Sequence, residues 1–266
     1  MLRKNFNLDN KVIIITGGAG LLGERFAKVI AGSNGIPIIL DLNMKKAKSI
    51  IKDIKNEFGI NAGFYKCDIT DQKQVSNVLK SLNKLYKREL FGLINNAAFN
   101  PQASKKVKNE LENFNLKTWE KEIKVGLTGA FICTKIFGSQ FAKNKSGSII
   151  NVSSDLGVKG PKQSLYSHLN YIKPITYSVV KHGIIGLTKY SCTYWGKKGV
   201  RSNTIAPGGV YNNQDRIFVR KLKKEIPSNR MANIKDFDGI ITYLLSDSSK
   251  YCNGSFISID GGRTVY

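Results

Sequence analysis

The sequence predicts an α/β fold: a single domain built on a doubly wound parallel sheet of about seven strands, with helices on both faces. Three observations carry this. Short β-branched runs alternate with stretches of helical period along the whole chain, and the first such run feeds directly into a glycine-rich turn. At 266 residues the chain has one domain's worth of core, and no proline-rich linker, internal repeat or low-complexity tract divides it.

Val12-Ile13-Ile14-Ile15 is a run of the kind expected in a strand buried on both faces. It leads into Thr16-Gly17-Gly18-Ala19-Gly20-Leu21-Leu22-Gly23, and a helix is predicted to begin near Leu21. Glycines at 17, 20 and 23 suit a tight turn, close approach of backbone to a pyrophosphate, and close packing of helix on strand. A dinucleotide phosphate is therefore expected at the helix N-terminus, surrounded by Gly17, Gly20, Leu21, Leu22 and Gly23; the alternative is a glycine-rich turn with no ligand. The second strand, Ile36 to Leu40, ends in Asp41, at the spacing of an acidic residue that binds the ribose hydroxyls about 20 residues on. A carboxylate there repels a 2′-phosphate and favours NAD over NADP, although Lys45 and Lys46 just downstream are placed to neutralise one.

Met44, Ala47, Ile51, Ile54 and Phe58 recur at three-and-four spacing, as do Val75, Val78, Leu82 and Leu85, so both stretches read as amphipathic helices. A third strand is expected from Gly63 to Cys67, and a fourth from Leu90 to Asn95, ahead of a long helix from about Leu116 to Phe141. Ser148 to Ser153, Val200 to Ile205 and Ser255 to Ile259 complete the strands. Strand and helix repeated in this order leave a parallel sheet with right-handed crossovers as the natural topology.

Tyr177 and Lys181 form Y-x-x-x-K, and residues four apart share one helix face. A free phenol titrates near ~10, so a tyrosine that exchanges a proton near neutrality needs a neighbouring cation, and Lys181 is expected to lower its pKa. A dinucleotide-holding half joined to a proton-transferring pair reads as an oxidoreductase.

Over nearly its whole length the chain resembles the short-chain dehydrogenase/reductase family. Besides the glycine fingerprint and Tyr177/Lys181, the similarity lies in Asn95-Asn96-Ala97-Ala98, Cys67-Asp68-Ile69-Thr70, Ile150-Asn151-Val152-Ser153-Ser154, Ala206-Pro207-Gly208-Gly209-Val210 and Asp260-Gly261-Gly262. The resemblance implies a Rossmann-type domain in which Ser154, Tyr177 and Lys181 are catalytic and Ser153 is structural. It also implies that Asp68 and Ile69 lie near the adenine, and that Asn95, Ala97, Pro207, Gly208 and Val210 join Tyr177 and Lys181 in binding the cofactor. In such enzymes Tyr177 would exchange the hydroxyl proton, Lys181 would hold the nicotinamide ribose, and Ser154 would hydrogen-bond the substrate oxygen. The family also implies a homodimer or homotetramer paired through helices near 116–141 and 176–194.

Three departures from the family pattern carry expectations. Leu21 stands where glycine is commonest, a spacing similar to the sugar-nucleotide epimerases and dehydratases, which keeps that chemistry as an alternative; a non-catalytic dinucleotide-binding sensor is another. Gly126 replaces the family's asparagine, which helps hold a water on the proton path; Gly126→Asn is expected to leave activity intact or raise it. Ser154 and Tyr177 stand 23 positions apart, about ten more than the pattern, so residues 155–176 must loop out. That segment offers Lys159, Lys162, Tyr166, His168, Tyr171 and Lys173 to a polar or anionic substrate, or else is a solvated loop.

Further substrate loops are expected near 99–117 and 211–232. The latter carries Arg216, Arg220, Lys221, Lys223 and Lys224, which suit a sugar phosphate or sugar nucleotide if they are not a solvated helix face. The last third, with Thr176 to Gly183 and Arg230-Met231-Ala232, is similar to bacterial short-chain oxidoreductases of flagellin or surface-glycan sugar synthesis. The expected reaction is NAD(P)-dependent oxidation or reduction of a sugar or sugar-derivative hydroxyl or carbonyl.

The formal net charge is +23, from 42 Lys and Arg against 19 Asp and Glu, but the cations are scattered and no nucleic-acid-binding signature accompanies them. Nucleic acid is not an expected partner. Cys67, Cys133, Cys192 and Cys252 have neither C-x-x-C spacing nor a disulfide pattern; all four are expected to be buried, and no metal site is expected, His168 and His182 lacking ligand spacing. No secretory signal or membrane-spanning run is read, so a reducing cytoplasm is expected.

Overall fold

The computed structural model describes residues 6–86, 89–99 and 109–265. Seven parallel strands form one sheet in the order β3-β2-β1-β4-β5-β6-β7. They are β1 (Val12–Thr16), β2 (Ile36–Asp41), β3 (Gly63–Lys66), β4 (Leu90–Asn95), β5 (Gly147–Val152), β6 (Val200–Pro207) and β7 (Phe256–Ile259). The order reverses between β1 and β4, and this opens a crevice beyond their carboxyl ends.

Period-two alternation divides the β-branched strands between two cores. Ile13, Ile15, Ile39, Ile94, Ile150 and Ile205 face one side, where they meet Phe26 and Ile30 of α1 (Leu21–Gly32), Ile50 and Ile54 of α2 (Met44–Phe58), and Ile241 and Leu244 of α8 (Asp238–Leu245). Val12, Ile14, Ile38, Leu40, Leu93 and Ile149 face the other. There they pack on Val75, Val78 and Leu82 of α3 (Gln72–Tyr86), Phe137 and Phe141 of α5 (Gly129–Asn144) and Trp195 of α6 (Ile175–Trp195).

Local chemistry sets the helix ends. The Asn43 side chain accepts from the Lys46 N–H at 3.1 Å, capping α2, and Gly59 at φ +72° ends it. Asp215 caps α7 (Arg216–Lys223) by accepting from the Ile217 and Phe218 N–H groups at 2.9 and 3.0 Å.

The long helix expected from Leu116 to Phe141 is not uniform. It runs as α4 (Leu116–Ile123), a π-helical turn over Lys124–Thr128, and then α5. Gly126 sits in that turn, where a Cβ would lie 2.6 Å from Val180 Cγ1 of α6. Any side chain at 126 would therefore require Val180 to move, a packing demand that sequence spacing does not show.

Two of the four cysteines also depart from expectation. Cys67 and Cys133 are buried, whereas Cys192 and Cys252 are half-buried, because they sit toward the far end of α6 and in the turn before β7.

Candidate active site

The crevice is a cavity of about 780 Å³, large enough for a dinucleotide or a sizeable part of one together with a small substrate. Gly17, Gly20, Leu21, Leu22, Asp41, Asp68, Ile69, Ala97, Ser154, Tyr177, Lys181, Pro207, Gly208 and Val210 all line it. Two residues expected at the cofactor do not. Gly23 is buried behind the loop, where a Cβ would overlap the Gly17 carbonyl, so it serves helix-to-strand packing alone. Asn95 turns into the core and donates to Thr134 Oγ1 at 2.9 Å and Asn151 Oδ1 at 2.7 Å.

The neighbouring Asn96 takes the position expected of Asn95. Its amide donates to the carbonyls of Thr16 and Gly17 at 3.1 and 3.0 Å, while its own N–H and that of Ala97 donate to Thr16 Oγ1 at 3.0 and 3.1 Å. These bonds tie the end of β4 to the glycine loop across the switch point.

The residues of the cradle fit a dinucleotide. Gly17 has φ +61°, in the left-handed region, and α1 begins at Gly20 with no side-chain cap, so its first N–H groups and the positive end of its dipole are left for a phosphate. Asp41 accepts from Ala19 N at 2.9 Å and from Asn43 N at 2.8 Å, which fixes the carboxylate against the cavity while lone pairs remain for a ribose diol. Nearby Lys46 lies 3.2 Å from Glu24.

At the opposite end of the cavity, Ser154 Oγ donates to Asp155 Oδ1 at 2.7 Å and accepts from Leu156 N at 3.2 Å. Asp155 is itself held by a buried ion pair with Arg263. Arg263 follows the Asp260-Gly261-Gly262 turn and lines the same cavity; nothing in the sequence spacing pointed to it. The Ser153 hydroxyl is committed to the backbone, donating to the Lys181 carbonyl at 2.7 Å.

The Lys181 ammonium donates to the Val152 carbonyl at 2.8 Å and lies 5.7 Å from the Tyr177 ring centroid. Burial, reinforced by the charge of Lys173, holds its pKa down at about 8. The expected lowering of the phenol is not seen. Burial pushes Tyr177 up to about 12, with a Ser154 hydrogen bond pulling it down and the Asp155 charge raising it further. Desolvation of a buried phenolate is the largest cause.

The long segment before α6 packs as short helical turns. Tyr166 stacks on Phe218 of α7 with centroids 5.1 Å apart and meets Tyr171 edge-on at 5.6 Å. His168 Nε2 lies 2.6 Å from Asp215 Oδ1, Lys162 lies 2.7 Å from Glu225, and Lys159 donates to the Arg263 carbonyl at 2.9 Å. Of the donors expected to face a substrate, Lys173 and Tyr166 line the cavity, while Lys159, Lys162 and His168 are occupied in holding the segment to α7 and the C-terminus.

Of the two readings of the basic run after Tyr211, the structure places these cations away from the cavity. Arg216, Arg220, Lys223 and Lys224 line a separate groove of about 350 Å³ with Tyr211, whereas the cavity receives the apolar face of α7, through Phe218 and Leu222. Amphipathic period puts cations and apolar side chains on opposite sides of this helix. Of the expected loop 99–117, residues 100–108 lie outside the described residues.

A family model described as enoyl-(acyl carrier protein) reductase matches residues 19–264. The post-translational flagellin modification protein A of Campylobacter coli is 29% identical over 96% of this chain and 98% of its own length. The D-threitol dehydrogenase of Mycolicibacterium smegmatis is 27% identical over 98% of this chain and 95% of its own. Among solved structures, a gluconate 5-dehydrogenase of Burkholderia cenocepacia, in complex with NADP and tartrate, superposes with a TM-score of 0.88 over 100% of both chains at 24% identity, a likeness of fold.

Proposed function

Since the chain belongs to the short-chain dehydrogenase/reductase family and is an NAD(P)-dependent oxidoreductase of CH–OH groups, we propose that it acts on a sugar or sugar derivative. We further propose that this serves the synthesis of a bacterial surface or flagellin glycan. The observation that carries the reading is the convergence of Ser154, Tyr177 and Lys181 on the cavity that also holds the glycine loop and Asp41. The names of the Campylobacter and Mycolicibacterium relatives support the substrate class.

Tyr177 gives or takes the proton at the substrate oxygen. Ser154, oriented by Asp155, donates a hydrogen bond to that oxygen as charge develops on it. Lys181, anchored on Val152, holds the ribose hydroxyls. A bound nicotinamide would supply the hydride acceptor or donor. NAD is the proposed cofactor, because the Asp41 carboxylate lines the cavity, where it would accept from a ribose diol and repel a 2′-phosphate, and the nearby Lys46 is engaged by Glu24. A homo-oligomer is proposed through the outer faces of α5 and α6, where Phe131, Tyr190 and Tyr194 are exposed.

The test is a nicotinamide-absorbance screen over sugars, polyols, sugar phosphates and sugar nucleotides with NAD and NADP, run beside Tyr177→Phe. Turnover of a sugar or polyol that falls about 10²-fold or more in the variant, with dinucleotide affinity unchanged, is the expected result. Undiminished turnover in Tyr177→Phe would remove the proposed proton transfer. Tightly retained dinucleotide with no net absorbance change would favour epimerase or dehydratase chemistry instead.

A further inference from the structure

Lys173 is delivered to the catalytic tyrosine by the long segment between Asp155 and α6. Its ammonium sits over the face of the Tyr177 ring, 3.8 Å from the centroid, nearer than Lys181 at 5.7 Å. The backbone there is fixed: the Gln163 side chain accepts from Lys173 N at 2.9 Å and donates to Lys173 O at 3.3 Å, and Pro174 follows as the N-cap of α6. A cation on a ring face is attracted by the ring's quadrupole, and more strongly once the ring carries a full negative charge.

We propose that Lys173 is a positioning residue of the catalytic centre: seated on the Tyr177 ring, its ammonium favours the phenolate form that proton transfer requires. This rests on the assignment of Tyr177 as the proton-transferring residue. Lys173 supplies a counter-charge on the ring face, whereas the Lys181 ammonium is farther from the ring and tied to the Val152 carbonyl.

The other groups bearing on the pair set its pH range. Asp155, from the end of β5, and Glu122, from α4, favour the Lys173 cation, while burial holds its pKa down at about 8. Asp155 raises Tyr177, Ser154 lowers it, and Lys173 lowers Lys181 on the same helix. Tyr166, Tyr171 and Arg263 complete the charged and titratable surroundings. Glu122 is also bonded to the hydroxyl of Thr176, the residue before Tyr177. Because the folded pKa of Lys173 lies below its ordinary value, its charge is present at neutral pH and fades as pH rises through about 8.

The test places 3,5-difluorotyrosine at 177, whose more acidic phenol titrates where the protein is folded, and follows its ionisation by fluorine NMR in otherwise native protein, Lys173→Met and Lys173→Arg. It is done both free and with saturating NAD. The expected result is a rise of the phenol titration by about one unit or more in Lys173→Met, largely reversed in Lys173→Arg. Should Lys173→Met fail to fold, Lys173→Gln is the second neutral variant, read the same way. A titration unmoved by loss of the charge, or moved equally by Met and Arg, overturns the proposal and assigns Lys173 to packing. The measurement needs no turnover. A protein that binds no dinucleotide would refute the oxidoreductase reading while the free-enzyme titration still decides the role of Lys173.

Discussion

Gly126→Ala tests the packing of α6 on the π-helical turn. The new Cβ would lie 2.6 Å from Val180 Cγ1 and 3.2 Å from Cγ2, and Val180 is buried in a small cluster with Ala130 and Ile184. Overpacking of this kind costs about 1–3 kcal/mol, against which alanine returns about 1 kcal/mol of helix propensity. The net expectation is a loss of about 0–2 kcal/mol, and a larger one for Gly126→Asn. Val180→Ala alone removes two buried methyl groups and costs about 2 kcal/mol. In the double variant the methyl at 126 occupies part of the space vacated at 180, so stability returns to within about 1 kcal/mol of the parent instead of the additive loss of about 2–4 kcal/mol. Urea unfolding of the four proteins, followed by circular dichroism, measures the coupling. Additivity within about 0.5 kcal/mol, or a stabilising Gly126→Ala in the presence of Val180, would refute the argument that the two positions share one volume.

Three other outcomes are expected. Arg263→Met leaves the Asp155 carboxylate buried without its partner and should cost about 3–5 kcal/mol in unfolding, with much of the loss recovered by adding Asp155→Asn; equal stability of the single variant and the parent would remove the ion pair from the account. The Lys181 pKa is held down at about 8, so its cation is present below that pH and lost above it; NADH affinity, measured by fluorescence, should weaken as pH rises through about 8, and this pH dependence should vanish in Lys181→Met. Asp41→Ser removes the carboxylate proposed to bind the ribose and should shift the NAD/NADP preference toward NADP by about tenfold or more, read as the ratio of kcat/KM for the two cofactors; an unchanged ratio would place the discrimination elsewhere.

The strands and the cradle were legible because their causes are local. Val12 to Thr16 became a strand with alternate faces in two cores, and the glycines after it became a turn with Gly17 at φ +61° and an uncapped helix start. The placement of Tyr177 and Lys181 on one helix face follows from four-residue spacing alone. Spacing could not say which of two adjacent asparagines would face the glycine loop. Asn96 does so, because Asn95 is the last residue of β4 and its side chain falls on the core face. Nor could the sequence say which cations reach the cavity. The run on α7 faces away from it, while Lys173 and Arg263, 90 positions apart and in no motif, flank Ser154 and Tyr177.

The amino-acid order by itself pointed to a doubly wound parallel sheet, a glycine-rich cradle and the pair Tyr177 and Lys181 on one helix face, since hydrophobic period, backbone freedom at glycine and helical spacing act over a few residues, while Ser154 came from the family resemblance. Only the tertiary structure decided the charge around the phenol, the exclusion of a side chain at 126 by Val180, and the Arg263 support of Asp155. Each of these depends on packing between segments distant in the chain, where distance and burial set the energy and sequence separation carries no information.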